Sequence, residues 1–254
     1  MKLLVTGHKG FIGSNFLKWI TDHDITTFEW GDDLPNVEGI DWVVHFGAVS
    51  STLETDVEKV LTQNLDFSIW LLDECIKHKV NFQYSSSASV YGKGNNFKED
   101  AKVDPRSPYA WSKYLFERHA AKLAPSITVQ GFRYFNVYGP GEEHKGDMAS
   151  PFHKFKKEYE ETGYITLFEG SDKYLRDFVP VEIVCSVHES FLNIKESGIW
   201  NVGLQYPISF KEVALTIAPE HRIKYIKMPE NMKSSYQAYT CADLAKLNRT
   251  LLNN

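Results

Sequence analysis

Cysteine is scarce in this chain. Cys75, Cys185 and Cys241 stand far apart and form no CxxC pair, which fits reduced cytosolic thiols and neither a disulfide framework nor a zinc site. Long apolar runs are missing as well, and with a mean hydropathy of −0.34 no membrane span is expected. An excess of basic charge is also absent. A net charge of −5 argues against a general nucleic-acid binder. His8, His23, His119 and the other histidines show no ligand spacing, so no metal site is expected. There is no internal repeat and no low-complexity stretch. The N-terminus runs straight into an apolar strand, leaving no room for a signal peptide, and the expected location is cytoplasmic.

What the chain does have is strand–helix alternation. Its 254 residues suit one large domain, or one plus a small lobe. KLLVT (2–6) is an apolar strand that stops at Gly7, and residues 11–20 follow with helical spacing. Further strands are expected at 25–30, 41–46, 82–85 and 127–133, with helices at 65–76 and 107–123, the latter with Pro108 in its first turn. This alternation predicts an α/β fold: a Rossmann-type, doubly wound parallel sheet covered on both faces. Beyond residue 135 the pattern breaks into loops and short elements, with a strand at 164–168, a helix from about Val181 and a strand at 199–202. The expected division is a dinucleotide-binding domain over 1–134 with returning segments near 177–203, and a small substrate-binding lobe over 135–176 and 204–254. Open sheets of this kind bind ligands at the carboxyl ends of their strands.

The turn VTGHKGFIG places Gly7, Gly10 and Gly13 between the first strand and the first helix. Glycine there lets the backbone approach a pyrophosphate, and the helix N-terminus supplies N–H groups and a positive dipole. The spacing is GxxGxxG, and it also suits a plain tight turn. After the second strand, TTFEWGDDL offers Glu29, Asp32 and Asp33, while no Arg or Lys follows until Lys59. A carboxylate here would bond a ribose 2′-OH, which favours NAD over NADP, unless these acids are only solvated loop charges.

FQYSSSASVYG ends a strand, and SPYAWSKYLFE opens a later helix on which Tyr109 and Lys113 stand one turn apart and share a face. A phenol is a poor base at neutral pH, but a nearby ammonium favours phenolate, and a serine hydroxyl would orient a substrate alcohol. These groups suit removal of a carbinol proton while hydride leaves for a nicotinamide. A YxxxK spacing alone is common; joined to the serines and the glycine turn it becomes specific.

Taken in order, TGHKGFIGS, HFGAVSS, YSSSASVYG, PYAWSK and FRYFNVYGP resemble the extended short-chain dehydrogenase/reductase superfamily of nucleotide-sugar epimerases and dehydratases. Dehydratases of that group carry Thr-Asp-Glu where this chain has Ser87-Ala88-Ser89, which disfavours dehydration. RYFNVYGPGEEHKGDMAS, LFEGSDKYLRDFV, SGIWNVG and SSYQAYTCADLAKL are more particular, and closely resemble the ADP-L-glycero-D-manno-heptose 6-epimerases of lipopolysaccharide heptose biosynthesis. The resemblance runs over nearly the whole chain. It implies an isomerase with two acid/bases, Tyr109 and Lys145, with Ser87 orienting the oxygen and Lys113 binding the nicotinamide ribose. A lysine exchanges protons at neutral pH only if burial or a neighbouring cation lowers its pKa; otherwise Lys145 is a surface lysine contacting phosphate.

The same resemblance implies that Phe11, Ile12, Phe46, Gly47, Ala48, Val49, Ser50, Asn64 and Val137 line the cofactor. For the substrate it implies Asn136, His153, Phe168, Glu169, Gly170, Ser171, Arg176 and Tyr236. Arg176 suits a diphosphate bidentately, or else a salt bridge with Asp177. The aromatic run Phe132, Tyr134, Phe135 and Tyr138 fits lobe packing better than a nucleic-acid platform.

Four departures stand out. The stretch between the second and third strands is short, which trims the adenosine side of the pocket. Asp147 replaces the family's usual Ser and puts a carboxylate near the substrate. The block MASPFHKF is a residue shorter, and the chain ends soon after ADLAKLNRTLLNN. Two competing readings remain at this level: a UDP-hexose 4-epimerase type that needs only Tyr109, and a non-catalytic cofactor-binding module. The superfamily pairs the helices at 65–76 and around Tyr109 into dimeric bundles, and the heptose epimerases form larger rings, so a homo-oligomer is implied.

Overall fold

The computed structural model describes residues 1–123, 126–230 and 237–253. The first half runs β1 (Lys2–Thr6), α1 (Phe11–Trp19), β2 (Asp24–Phe28), β3 (Trp42–His45), α2 (Val57–Leu61), a π turn (Thr62–Asp66), α3 (Phe67–His78), β4 (Asn81–Ser87), α4 (Pro108–Lys122) and β5 (Val129–Tyr134). The second half adds β6 (Asn136–Tyr138), α5 (Pro151–Thr162), β7 (Ile165–Phe168), β8 (Leu175–Pro180), α6 (Val181–Phe191), β9 (Gly198–Val202), β10 (Pro207–Ser209), α7 (Phe210–Leu215), β11 (Ile223–Ile226) and α8 (Ala245–Leu252).

The main sheet is parallel throughout, in the order β2-β1-β3-β4-β5-β9. Side chains alternate across each strand, so β1 sends Leu3 and Val5 to one face and Leu4 to the other. Leu3 and Val5 pack with Phe16, Val44, Val181 and Cys185, beneath α1 and α6. Leu4 packs with Val43, Leu71, Leu72, Phe82 and Phe116, beneath α3 and α4. Both faces are thus covered, which explains the near-continuous apolar character of β1 and β3. The order reverses between β1 and β3, where open α/β sheets leave their crevice.

Outside this sheet, β8 pairs in parallel with β6 and antiparallel with β10, while β7 and β11 form a separate parallel pair. β9 returns to the main sheet beside β5, and α6 packs against α1.

Element ends differ modestly from the sequence expectations, and two differences matter. The helix expected at 65–76 starts earlier, at Val57, where Asp56 caps it by accepting from Lys59 N at 3.0 Å. A π turn interrupts its periodicity at Asn64. The segment after Ala149, read only as a motif, forms α5. Ser150 caps it, Pro151 opens it, and Gly163 at φ +73 closes it.

Candidate active site

Because the sheet is parallel, β1, β3, β4 and β5 deliver Gly7, the loop Phe46–Ser50, Ser87 and the segment from Phe135 onward to one edge. At Gly7, φ is +69 and an added Cβ would lie 2.5 Å from the Gly47 backbone, so two loops touch there. A Cβ at Gly13 would meet the Gly7 carbonyl oxygen at 2.3 Å. Glycine is required at both positions by space alone. Gly10 is the N-cap of α1 and supplies no side-chain cap, so the N–H groups of its first turn are left for another acceptor.

Beside this turn lies a cleft of about 80 Å³ lined by Thr6, Gly7, Phe28, Glu29, Trp30, Gly47, Ala48, Gln63 and Phe67. Trp30 stands edge-on to Phe67 at 5.6 Å and forms the outer wall. Glu29 lies on the cleft and accepts from Lys9 N at 3.1 Å. Asp32 turns its carboxylate back to accept from Glu29 N at 2.9 Å. A glycine turn, an uncapped helix start and an adjoining cleft with a carboxylate on its wall fit a dinucleotide. Phe11, Ile12, Phe46 and Val137, expected along the cofactor, pack their side chains on the core below. Ser50 is exposed.

The loop after β3 is fixed by Asn64. Val49 N donates to Asn64 Oδ1 at 2.7 Å, and Asn64 Nδ2 donates to Val49 O at 3.0 Å and Ser112 Oγ at 3.1 Å. The π turn carries Asn64, a local widening of the helix of the kind that recurs at functional sites. Behind it, Ser68 Oγ donates to Asn64 O at 2.7 Å, so its oxygen accepts from His45 Nε2–H at 2.9 Å. That leaves His45 Nδ1 to accept from Thr6 Oγ1 at 2.6 Å. Burial, with the Lys113 charge adding to it, holds His45 neutral and lowers its pKa to about 3. None of Thr6, His45, Ser68 or Ser112 was singled out in the sequence, because each reads there as an ordinary core or helix residue.

Ser87, Tyr109 and Lys113 come together as expected. Ser107 caps α4, accepting from Ala110 N at 3.2 Å, and sets Tyr109 and Lys113 one turn apart on the inward face. The Ser87 side chain stands near enough to the Tyr109 phenol to shift it, and Lys113 Nζ lies 5.8 Å from the centre of the Tyr109 ring. The electrostatics differ from the simple expectation. Burial raises the Tyr109 pKa above 10, and it is Ser87, not Lys113, that pulls it back down. Burial also lowers Lys113 to about 8, opposed by Glu117 one turn below. Glu117 is itself held by Arg133 through two hydrogen bonds, at 2.9 and 2.7 Å.

Lys145 sits on the turn Glu143–Met148, its Nζ 3.1 Å from Glu142 Oε2 and 4.4 Å from the Phe11 ring centre. Its ionic neighbour is therefore a carboxylate. The Phe11 contact brings it to the start of α1, beside the glycine turn. Asn136, Asp147 and Glu169 are exposed, and the Asp147 carbonyl accepts from Lys154. His153 lies in the first turn of α5, its N–H donating to the Ser150 cap. Phe168–Ser171 form the turn after β7, in which Ser171 N donates to Phe168 O at 3.0 Å and Gly170 takes φ +81. Ser171 Oγ is buried with no partner among the described residues. Arg176 on β8 is buried, donates to the Leu175 and Gln237 carbonyls, and lies 5.4 Å from the Phe210 ring centre. Asp177 accepts from Leu204, Gln205 and Ala242 N–H groups. Tyr236 lies outside the described residues.

Comparison with known proteins agrees with this geometry. Residues 17–203 match the model of the NAD dependent epimerase/dehydratase family. The chain belongs to that family. It is an epimerase-family enzyme on a Rossmann-type fold. A curated relative from Brachyspira hyodysenteriae, ADP-L-glycero-D-manno-heptose-6-epimerase, is 37% identical over 96% of this chain and 90% of its own length. Among solved structures, the Helicobacter pylori ADP-L-glycero-D-manno-heptose-6-epimerase superposes with a TM-score of 0.86 at 24% identity, covering 98% of this chain and 89% of that one. A UDP-N-acetylglucosamine 4-epimerase from Methanobrevibacter ruminantium also reaches 0.86, at 21% identity, covering 98% and 91%. At these identities the two structures speak to fold alone. Among the described residues no helix is long and apolar enough to cross a membrane.

Proposed function

We propose that the chain inverts a secondary-alcohol carbon of a nucleotide sugar, and that the substrate is an ADP-heptose epimerised at C6. The observation that carries this is the joint presence of Ser87 at the end of β4, Tyr109 and Lys113 on α4, and Lys145 on the glycine-flanked loop, in a chain 37% identical to a curated heptose epimerase. The bound dinucleotide supplies a reversible acceptor and donor of hydride. Gly7, Gly10 and the first turn of α1 hold its pyrophosphate, and Lys113 its nicotinamide ribose. Glu29 and the absence of a basic side chain among the cleft-lining residues favour NAD over NADP.

Tyr109 accepts the carbinol proton, with Ser87, which opposes the upward shift that burial gives the phenol, aligning the same oxygen. After the carbonyl intermediate presents its other face, Lys145 donates a proton to that oxygen as the carbon is reduced again. The product carries the inverted carbinol, Tyr109 is left protonated and Lys145 neutral, and solvent exchange resets both. Lys145 is part-exposed, which keeps that exchange open.

Residues 135–176 and 204–254 act as the lobe that holds the nucleotide sugar. Arg176 faces the diphosphate, while Asn136, Asp147, His153, the Phe168–Ser171 turn and Tyr236 hold the sugar and nucleoside. Asp147 accepts hydrogen bonds from sugar hydroxyls, since a carboxylate beside an anionic group would cost affinity. The three free cysteines, two of them buried, support a cytoplasmic enzyme, and the superfamily's habit supports a homo-oligomer.

The test is incubation with ADP-D-glycero-D-manno-heptose and NAD or NADP, following C6 configuration by NMR. Conversion that is lost in Tyr109→Phe and in Lys145→Ala supports the two-base reading. Conversion of UDP-hexoses that survives Lys145→Ala would instead assign a one-base 4-epimerase.

A further inference from the structure

Glu142 lies in the same motif as Lys145 and carries no role in the proposed chemistry, yet its carboxylate is the most heavily engaged in this loop. Its side chain is 1% exposed. Oε1 accepts from Gly139 N at 3.1 Å and Ser150 Oγ at 2.7 Å, and Oε2 accepts from Ser150 N at 2.6 Å and Lys145 Nζ at 3.1 Å. Both oxygens are therefore saturated by four donors. Burial works against its charge, but the Ser150 hydrogen bonds, and then Lys145, hold it below the ordinary carboxylate range. An ion this buried is tolerated only when paired and hydrogen-bonded, so the loop is built around it.

The loop is also tied from outside. Asn15 Nδ2 donates to Pro140 O at 2.9 Å and to Phe11 O at 2.8 Å, joining Gly139–Gly141 to the same turn of α1 that carries Phe11. Lys145 Nζ is thus held between two fixed partners, the Glu142 carboxylate and the face of Phe11. The other charged groups on its turn, Glu143, His144 and Asp147, are exposed to solvent.

We infer that Glu142 is the positioning residue for Lys145: it takes one of the three ammonium donors and aims the other two into the crevice above α1. This rests on the proposed role of Lys145 as second acid/base. Glu142 touches neither substrate nor cofactor in this account. It acts only through Lys145, and its effect should be confined to the half-reaction in which Lys145 carries the proton.

The test compares Glu142→Gln, Lys145→Ala and Ser150→Ala with the parent enzyme, using both C6 epimers and stopped-flow absorbance of the reduced cofactor. The amide of Glu142→Gln keeps the volume and can still accept from Ser150. In that variant the epimer oxidised through Tyr109 should be oxidised at near the parent rate, while the other epimer, oxidised through Lys145, slows roughly 10- to 100-fold, less than the roughly 10²- to 10⁴-fold that loss of the acid–base group itself would cost, because Lys145 is still present. Ser150→Ala should lower thermal stability and leave the two epimers slowed alike. Independently of activity, Lys145 in Glu142→Gln should be acylated faster by an amine-reactive reagent at fixed pH, as mapped by mass spectrometry. Equal slowing of both epimers in folded Glu142→Gln, or unchanged acylation of Lys145, overturns the inference. Full turnover in Lys145→Ala would overturn the role of Lys145 itself, while the acylation result still reports whether Glu142 holds it.

Discussion

Asn64 and Ser112 meet through a 3.1 Å hydrogen bond, and Ser112 Oγ passes on to the Tyr109 carbonyl at 2.8 Å. One amide thereby joins the loop after β3, which borders the cofactor crevice, to the helix that carries Tyr109 and Lys113. Removing it leaves Val49 N and O, which are half-buried, without their partner, at a cost of about 1 kcal/mol, the low end for unsatisfied groups. Asn64→Ala is therefore expected to lower both stability and dinucleotide affinity, as read by chemical denaturation and by cofactor titration. Asn64→Asp should bind cofactor worse still, because it replaces a donor with a buried charge.

Tyr109 and Ser87 are expected to separate in kinetics. Tyr109→Phe removes the proposed proton carrier and should lower kcat by about 10²- to 10⁴-fold. Ser87→Ala keeps the phenol but removes the hydroxyl that opposes its upward shift. The Ser87→Ala profile should consequently need a more alkaline pH to reach its maximum. Steady-state rates across pH for both variants check this.

Lys113 gives a pH dependence in which function and stability move in opposite directions. Its folded pKa is brought down to about 8 from 10.5 by burial, against the pull of Glu117. As pH rises through about 8 the folded chain gives up this proton before the unfolded chain does, so this group favours folding increasingly with pH. The same loss removes the ammonium proposed to hold the nicotinamide ribose. NAD affinity should fall above about pH 8 while denaturant stability does not fall with it, and Lys113→Met should abolish the pH dependence of binding.

Acid should act through two buried imidazoles. His45 and His188 both have pKa values lowered to about 3 by burial, against 6.5 when exposed. Below pH 6.5 the unfolded chain binds more protons than the folded one, so the stability they carry is lost as pH falls from 6.5 towards 3. His188 Nδ1 lies 2.7 Å from Gln83 Oε1 and its Nε2 bonds the Tyr134 hydroxyl, so the ring is buried, neutral and fully used. Urea unfolding at pH 7, 6 and 5 should show a steep loss, made shallower in His188→Gln.

Much of this was readable in the sequence, and the reasons for the remainder are physical. The glycine turn, the strand-end serines and the Tyr109–Lys113 pair were legible because each is local: a tight turn or one helical face fixes it. Asn64 entered only through the family resemblance, since a π turn breaks the periodicity that would have located its face. The chain from Thr6 through His45 to Ser68 was not legible, because it links β1, β3 and a helix that meet only in the folded sheet. α5 was within reach: Ser150-Pro151 is a helix start, and Phe152, Phe155 and Tyr159 follow at helical spacing. The Asp32 contact was not legible, because a carboxylate three residues along can cap its own turn as readily as it can reach a ribose. Glu142 gave no signal, since nothing in Gly-Glu-Glu distinguishes a buried hub from an exposed acid.

The most direct test of the central claim is to run the proposed epimerisation in D₂O and read C6 of the product by NMR. Transient oxidation with return of the same hydride predicts inverted C6 carrying protium, with no deuterium incorporated and conversion slowed at least about 10²-fold in Tyr109→Phe. Deuterium at C6, or inversion at the parent rate in Tyr109→Phe, would contradict it, because the carbon-bound hydrogen would then exchange with solvent or leave without the phenol.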